Sequence, residues 1–269
     1  PPPPPPTITP PPPTTTPISN RRQRQMCIRD RFCTIMFALV TVIFKMNPVL
    51  FTAKEKRIIY SIIAISVLYS ISRNSVFSIL IFLLFSRFYN ISSWLGFIIL
   101  IIIAILYQVI AMNLVTIITA LGLEEYMRLE TLESGAGRLV AWNLGWNYVK
   151  EHFILGGGFA FDEHLFTIHQ DALRKQGHMG GVHNQYLSLW LNTGIIGMIA
   201  YMYGFFKSFF KASLYSTLAL PIMFSFLFSL TFEGWLIGSL NPYNIMFIII
   251  ICILLHPSNH APKEEHSLS

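Results

Sequence analysis

Residues 95–115, "LGFIILIIIAILYQVIAMNLV", are apolar over a long enough run to decide the fold. A run of about 20 such residues crosses the hydrocarbon layer of a bilayer as an α-helix. The whole chain agrees with that stretch. Hydrophobic residues make up 53% of the 269, charged residues 12%, and mean hydropathy is +0.54. A soluble domain carries roughly a quarter charged residues. The fold expected is all-α, a polytopic helical membrane protein. The formal net charge of +6 then calls for no nucleic acid, because basic residues collect in the cytoplasmic loops of membrane proteins.

About seven spans are expected by length and hydropathy. They cover 32–51, 58–71, 74–85, 91–112, 187–206, 214–232 and 243–255. Lys45, Asn47 and Pro48 interrupt the first. The loop charges orient them. Lys54, Lys56 and Arg57 precede the second span, Arg87 follows the third, and Lys207 and Lys211 follow the fifth. Alternation puts all three groups on one side, which the excess of positive charge marks as cytoplasmic. The organisation expected is an arm over 1–31, spans over 32–115, an outer loop over 116–186, spans over 187–256 and a polar cytoplasmic tail over 257–269.

The arm does not match the rest of the chain. "PPPPPPTITPPPPTTTPISN" is low-complexity and extended, and cannot bury a core. The arginine-dense "RRQRQMCIRDR" after it would fall outside by the same alternation, against the charge rule. Residues 1–31 are therefore expected to be foreign to the domain or disordered. Cys27, Cys33 and Cys252 form no CxxC pair and no disulfide framework. They read as free thiols.

The outer loop holds the chemistry. At about 70 residues it is too long for a connector. In "SGAGRLVAWNLGWNYVKEHF", Leu139, Trp142, Trp146, Val149 and Phe153 recur at helical spacing, opposite Asn143, Asn147 and Lys150. Such a helix suits the lipid interface, where tryptophans collect. "ILGGGFAF" breaks it at Gly156–Gly158, and "FDEHLFTIHQDALRKQ" reads as a second short amphipathic helix. His183 and Asn184 then open the fifth span after Gly180 and Gly181, with Gly194 and Gly197 further in. Those two glycines are expected to pack the span against a neighbour.

Three polar residues stand out, each with an ordinary alternative. Arg73 lies at the outer end of the third span, where a charge faces a polar cavity or snorkels to the surface. Arg138 opens the interfacial helix and is otherwise a solvated arginine. His183 sits at a helix start, whose dipole favours the neutral ring. A neutral ring can serve as a general base or merely cap the helix. The loop's His152, His164, His169 and His178 do not make a metal site. No HExxH is present, and a spacing of five puts His164 and His169 on different helix faces.

Taken in order, these pieces resemble the O-antigen ligase and O-antigen polymerase superfamily of bacterial envelope enzymes. They are Ser72-Arg73, "GRLVAW", "EHFILGGGF", "HNQYLSLWLNTGIIG" and "FEGWL" around Glu233. The resemblance covers about residues 57 to 256. Phe153 stands where the family often has proline. The family also has more spans than this chain, as expected of a member lacking its N-terminal portion.

The resemblance implies a membrane glycosyltransferase of the bacterial inner membrane. Its substrate would be a glycan on undecaprenyl diphosphate at the outer face, polymerised or ligated into surface polysaccharide. His183 would deprotonate the acceptor hydroxyl. Arg73 and Arg138 would hold the diphosphate. Asn184, Trp142, Trp146, Gly156, Gly158 and Glu233 would support the site. No cofactor or metal is implied; the partners are a lipid-linked oligosaccharide, membrane lipid and other polysaccharide assembly proteins. A polymerase and a ligase differ in acceptor, and no residue names the acceptor. The rival reading is a non-catalytic transporter or polysaccharide exporter component. Transporters tend to be built from repeated halves with polar residues at mid-membrane, and neither is visible here.

Overall fold

The computed structural model describes residues 18–70, 73–88, 92–120, 134–175, 181–236 and 242–256. Among these every assigned element is an α-helix, as the composition predicted. Seven helices fall on the predicted spans: α1 (Ile18–Met46), α2 (Ala53–Ser70), α3 (Arg73–Arg87), α4 (Ser93–Ala120), α8 (Gln185–Ser213), α9 (Ala219–Phe232) and α10 (Pro242–Leu255). By length and apolarity two segments can cross a bilayer, Ser93–Ile110 and Gln185–Ser213. Phe32–Met46, Ala219–Phe232 and Pro242–Leu255 are apolar but shorter. Two clear candidate spans are thus present among the described residues, which leaves the expected count of seven unconfirmed. The expected arm boundary at residue 31 falls inside α1. Ser72, Gly180 and the tail over 257–269 lie outside the described residues.

Helix α9 is the centre of the bundle. Nearly every residue of "ALPIMFSFLFSLTF" is buried, the state of a helix that is apolar all round. It packs against α3, α8 and α4. Small polar residues bring α3 and α9 close: Ser225 Oγ donates to the Ser78 carbonyl at 2.7 Å, and Asn74 Nδ2 reaches Ser229 Oγ at 3.5 Å. Phenylalanines fill the remaining space, with Phe85 stacked on Phe224 at 4.3 Å. The outward face of α4 exposes Ile98, Ile101, Ile102 and Ile105, the apolar surface a lipid-facing helix presents.

The polar loop forms three short helices over this bundle: α5 (Ser134–Glu151), α6 (Phe161–Ile168) and α7 (Gln170–Lys175). The single helix expected over "FDEHLFTIHQDALRKQ" is thus two, divided at His169, whose Nε2 lies 2.9 Å from the Tyr148 hydroxyl. The apolar stripe of α5 also shifts. Its buried face is Ala141, Gly145 and Val149, one turn apart and docked on α8, where Leu187 and Leu191 approach Gly145. Trp146 is 44% exposed, and Phe153 lies beyond the helix end. Small residues won this face because they let two helix backbones approach.

Candidate active site

The site lies at one end of the bundle. Arg73 is the first residue of α3, whose last is Arg87; His183 lies just before α8, whose last turn carries Lys211. Glu233 caps the C-terminus of α9. Arg87 and Lys211, two of the basic residues that set the orientation, thus sit at the far ends of these helices.

His183 has a backbone φ of 45°, a left-handed conformation uncommon for a residue with a Cβ. It does not cap α8. Asn184 does, its side-chain oxygen accepting from the Leu187 N–H at 3.0 Å. The segment around His183 is tied to two other elements. The Trp142 indole donates to the Val182 carbonyl at 2.9 Å, fixing the preceding residue. Gln185, 1% exposed, accepts from the Leu236 N–H at 2.8 Å and ties the segment after α9 to the start of α8. That tie sets Glu233, 2% exposed, with Oε2 at 3.9 Å from His183 Nδ1. The separation exceeds a hydrogen bond, and the ring faces the buried carboxylate across it.

Both arginines lie within electrostatic range of Tyr107 of α4. The charges of Arg138, in the second turn of α5, of Arg73 and of Glu233 all act on the buried Tyr107 hydroxyl. Tyr107 is 8% exposed. Residues from α3, α4, α5, α9 and the lead-in to α8 therefore converge: Arg73, Tyr107, Arg138, Glu233 and His183. Sequence reading missed Tyr107 and Gln185. Tyr107 was visible as a polar-tipped ring in an apolar run. Gln185 carried no signal, because its partner is a backbone N–H 51 residues away.

Beside the cluster a groove of about 540 Å³ opens between α5 and α8. Trp142, Trp146, Trp190 and Tyr186 line it with Asn143 and Asn184. It is an apolar trough with two amide groups at one edge.

Gly156 and Gly158 do not line the cluster. They sit where α8 is broken at Gly194 (φ 68°, ψ −177°), roughly 14 Å along the helix from Gln185 at 1.5 Å per residue. The Gly157 and Gly158 N–H groups donate to the Leu191 and Asn192 carbonyls at 2.7 and 3.0 Å, and the Ile195 N–H donates to the Phe153 carbonyl at 2.9 Å. The 153–158 turn thereby supplies the hydrogen bonds that the broken helix lacks. Asp162 secures it, accepting from Ser188 Oγ and Asn192 Nδ2. Gly194 therefore accommodates the backbone of this turn, not a neighbouring helix as its spacing suggested.

A protein-family model described as O-antigen ligase matches residues 58–202. No curated protein and no solved structure matches the chain. The matched segment is more than half of the sequence and runs from α2 through the docked polar loop into α8, so this helical chain belongs to the O-antigen ligase family.

Proposed function

We propose that the chain transfers a glycan from undecaprenyl diphosphate to an acceptor hydroxyl at the outer face of the bacterial inner membrane. The observation that carries this reading is the convergence of two arginines, a buried carboxylate and a histidine at one end of the bundle. The two guanidinium groups bind the diphosphate and offset the charge that develops as it leaves. Nδ1 of His183 faces Glu233, and Nε2 takes the acceptor's proton. The acceptor oxygen bonds to the anomeric carbon, the bond from that carbon to the diphosphate oxygen breaks, and undecaprenyl diphosphate departs. The aromatic groove beside His183 receives the sugar rings or the apolar tail. Family membership supports glycan ligation of the ligase or polymerase type on a lipid-linked substrate.

The test is complementation of a strain lacking the corresponding gene, read as glycan banding on a gel with membrane abundance measured in parallel. Loss of a general base costs about 10²–10⁴-fold, so His183→Ala should abolish banding at unchanged abundance. Wild-type banding from that variant would remove His183 from the chemistry.

A further inference from the structure

We propose that residues 153–159 form a re-entrant turn, inserted among lipid acyl chains beside α8 rather than lying in the aqueous loop. The first observation is an exchange of backbone hydrogen bonds. In an unbroken helix the Ile195 and Ile196 N–H groups would donate to the Leu191 and Asn192 carbonyls, four residues back. The break at Gly194 removes both bonds, and the turn replaces them one for one. Ile195 and Ile196 donate to the Phe153 and Ile154 carbonyls at 2.9 and 3.5 Å, while the Leu191 and Asn192 carbonyls accept from Gly157 and Gly158 at 2.7 and 3.0 Å. In an aqueous loop water would complete those groups. Inside a bilayer only protein can, so non-helical backbone at membrane depth has to be paired in this way.

The second observation is depth. Helix α8 is long and apolar enough to cross a bilayer. From Gln185 to Lys207 it measures about 33 Å, close to the roughly 30 Å of the hydrocarbon layer. Gly194 lies about 14 Å in, near the middle, and the turn shares the depth of the residues it pairs with. Asp162, the first charge after the turn, is nearer the His183 end, where its carboxylate accepts from Ser188 Oγ, Asn192 Nδ2 and the Glu163 N–H. The third observation is surface. "FILGGGFAF" over 153–161 carries no polar side chain. Leu155 is 75% and Phe159 78% exposed, and Ile154 is exposed with them. Ile196, bonded to Ile154 through the backbone, and Ile199 are exposed on α8 just past the break. An apolar surface continuous with that of a spanning helix is one that acyl chains cover. The turn also holds a wall of the aromatic groove, because the Trp190 indole donates to the Phe153 carbonyl at 3.1 Å. Insertion of the turn requires α8 to cross the bilayer and is independent of the glycan chemistry.

The experiment puts a nitroxide spin label on single cysteines of the full chain, with Cys27, Cys33 and Cys252 replaced by serine, in vesicles of phosphatidylethanolamine and phosphatidylglycerol. Collisions with oxygen, which concentrates in hydrocarbon, are compared with collisions with a nickel chelate, which stays in water. Leu155→Cys and Phe159→Cys probe the turn. Ile199→Cys is the lipid-facing reference on α8, and the exposed Asp171→Cys is the aqueous one. Both turn labels should lose the nickel collisions seen at Asp171→Cys and match Ile199→Cys in oxygen collisions. Nickel collisions at the level of Asp171→Cys would put the turn in water and overturn the insertion. Labels shielded from both reagents would mean that another protein surface covers the turn, and would overturn it too. An Ile199→Cys label open to nickel would overturn the crossing of the bilayer by α8, and the insertion of the turn with it.

Discussion

At the residue scale the ordinary alternatives can be weighed against geometry. A histidine at a helix start is often a cap, but Asn184 makes that hydrogen bond, and His183 keeps a left-handed φ while facing a buried carboxylate. Backbone strain of this kind costs about 1–3 kcal/mol and persists where surrounding structure enforces it. Arg73 opens α3, the end of a helix dipole that favours anions. Its own helix therefore does nothing to hold a cation there, whereas a bound diphosphate would. Arg138 is expected to depend on its fork as well as its charge. Arg138→Lys keeps the charge and loses the bidentate geometry, so glycan transfer should fall about tenfold, the worth of one charge-assisted hydrogen bond. Steady-state transfer rates at matched protein amounts decide it; full activity would reduce Arg138 to a diffuse positive charge.

At the element scale, α8 works because it is broken. An alanine Cβ at Gly194 would overlap the Ile154 carbonyl oxygen, in a backbone region that side chains rarely enter. Gly194→Ala should therefore destabilise the protein by at least about 1–3 kcal/mol, seen as a lower melting temperature in detergent. Gly204→Ala in the same helix, with nothing within 4 Å of the added carbon, should not lower it. Equal melting temperatures for both variants would contradict the packing described here. Helix α2 offers a pH test. Thr52 and Glu55 form a reciprocal cap: the Thr52 N–H and hydroxyl donate to Glu55 Oε2, both at 2.8 Å, and the Glu55 N–H donates to Thr52 Oγ1 at 3.3 Å. The Thr52 backbone and hydroxyl hydrogen bonds hold the Glu55 carboxyl below its ordinary value of 4.5. A lowered folded-state pKa gives a contribution present above 4.5 and lost as pH falls through the lowered value. Glu55→Ala should accordingly speed amide exchange in the first turn of α2 at neutral pH and change it less in acid. An equal effect at both pH values would show that the carboxylate charge is not what caps the helix.

At the scale of the whole molecule, one buried helix organises everything else. Helix α9 carries no charge and is buried on all sides, and its C-terminus delivers Glu233 to the cluster. The ends of the surrounding helices are polarised, with Lys54, Lys56, Arg87, Lys207 and Lys211 away from the cluster. The positive-inside rule then predicts a cluster on the outer side. With Cys27, Cys33 and Cys252 replaced by serine, Asp171→Cys, whose native side chain is 94% exposed, should react with an impermeant thiol reagent on intact spheroplasts. Lys56→Cys should react only after permeabilisation. The opposite pattern would invert the orientation and remove the cluster from the outer face.

The sequence alone determined the class and most of the helix positions, because apolar runs and loop charges report directly on burial in lipid. It also offered Arg73, Arg138, His183 and Glu233 as candidates, through an ordered set of short motifs. Tertiary structure decided the rest. Asn184 caps α8, and His183 faces Glu233 where Gln185 accepts a hydrogen bond from the N–H of a residue 51 positions away. Gly194 has the spacing of a packing glycine, but its φ of 68° follows from pairing with the 153–158 turn. Tyr107 is a polar-tipped ring in an apolar run, and only the folding of other elements around it brings the charges of Arg138, Arg73 and Glu233 to act on its hydroxyl. Periodicity and charge are local properties of a chain. The hydrogen bonds that shape this cluster join segments distant in sequence, and no local pattern encodes them.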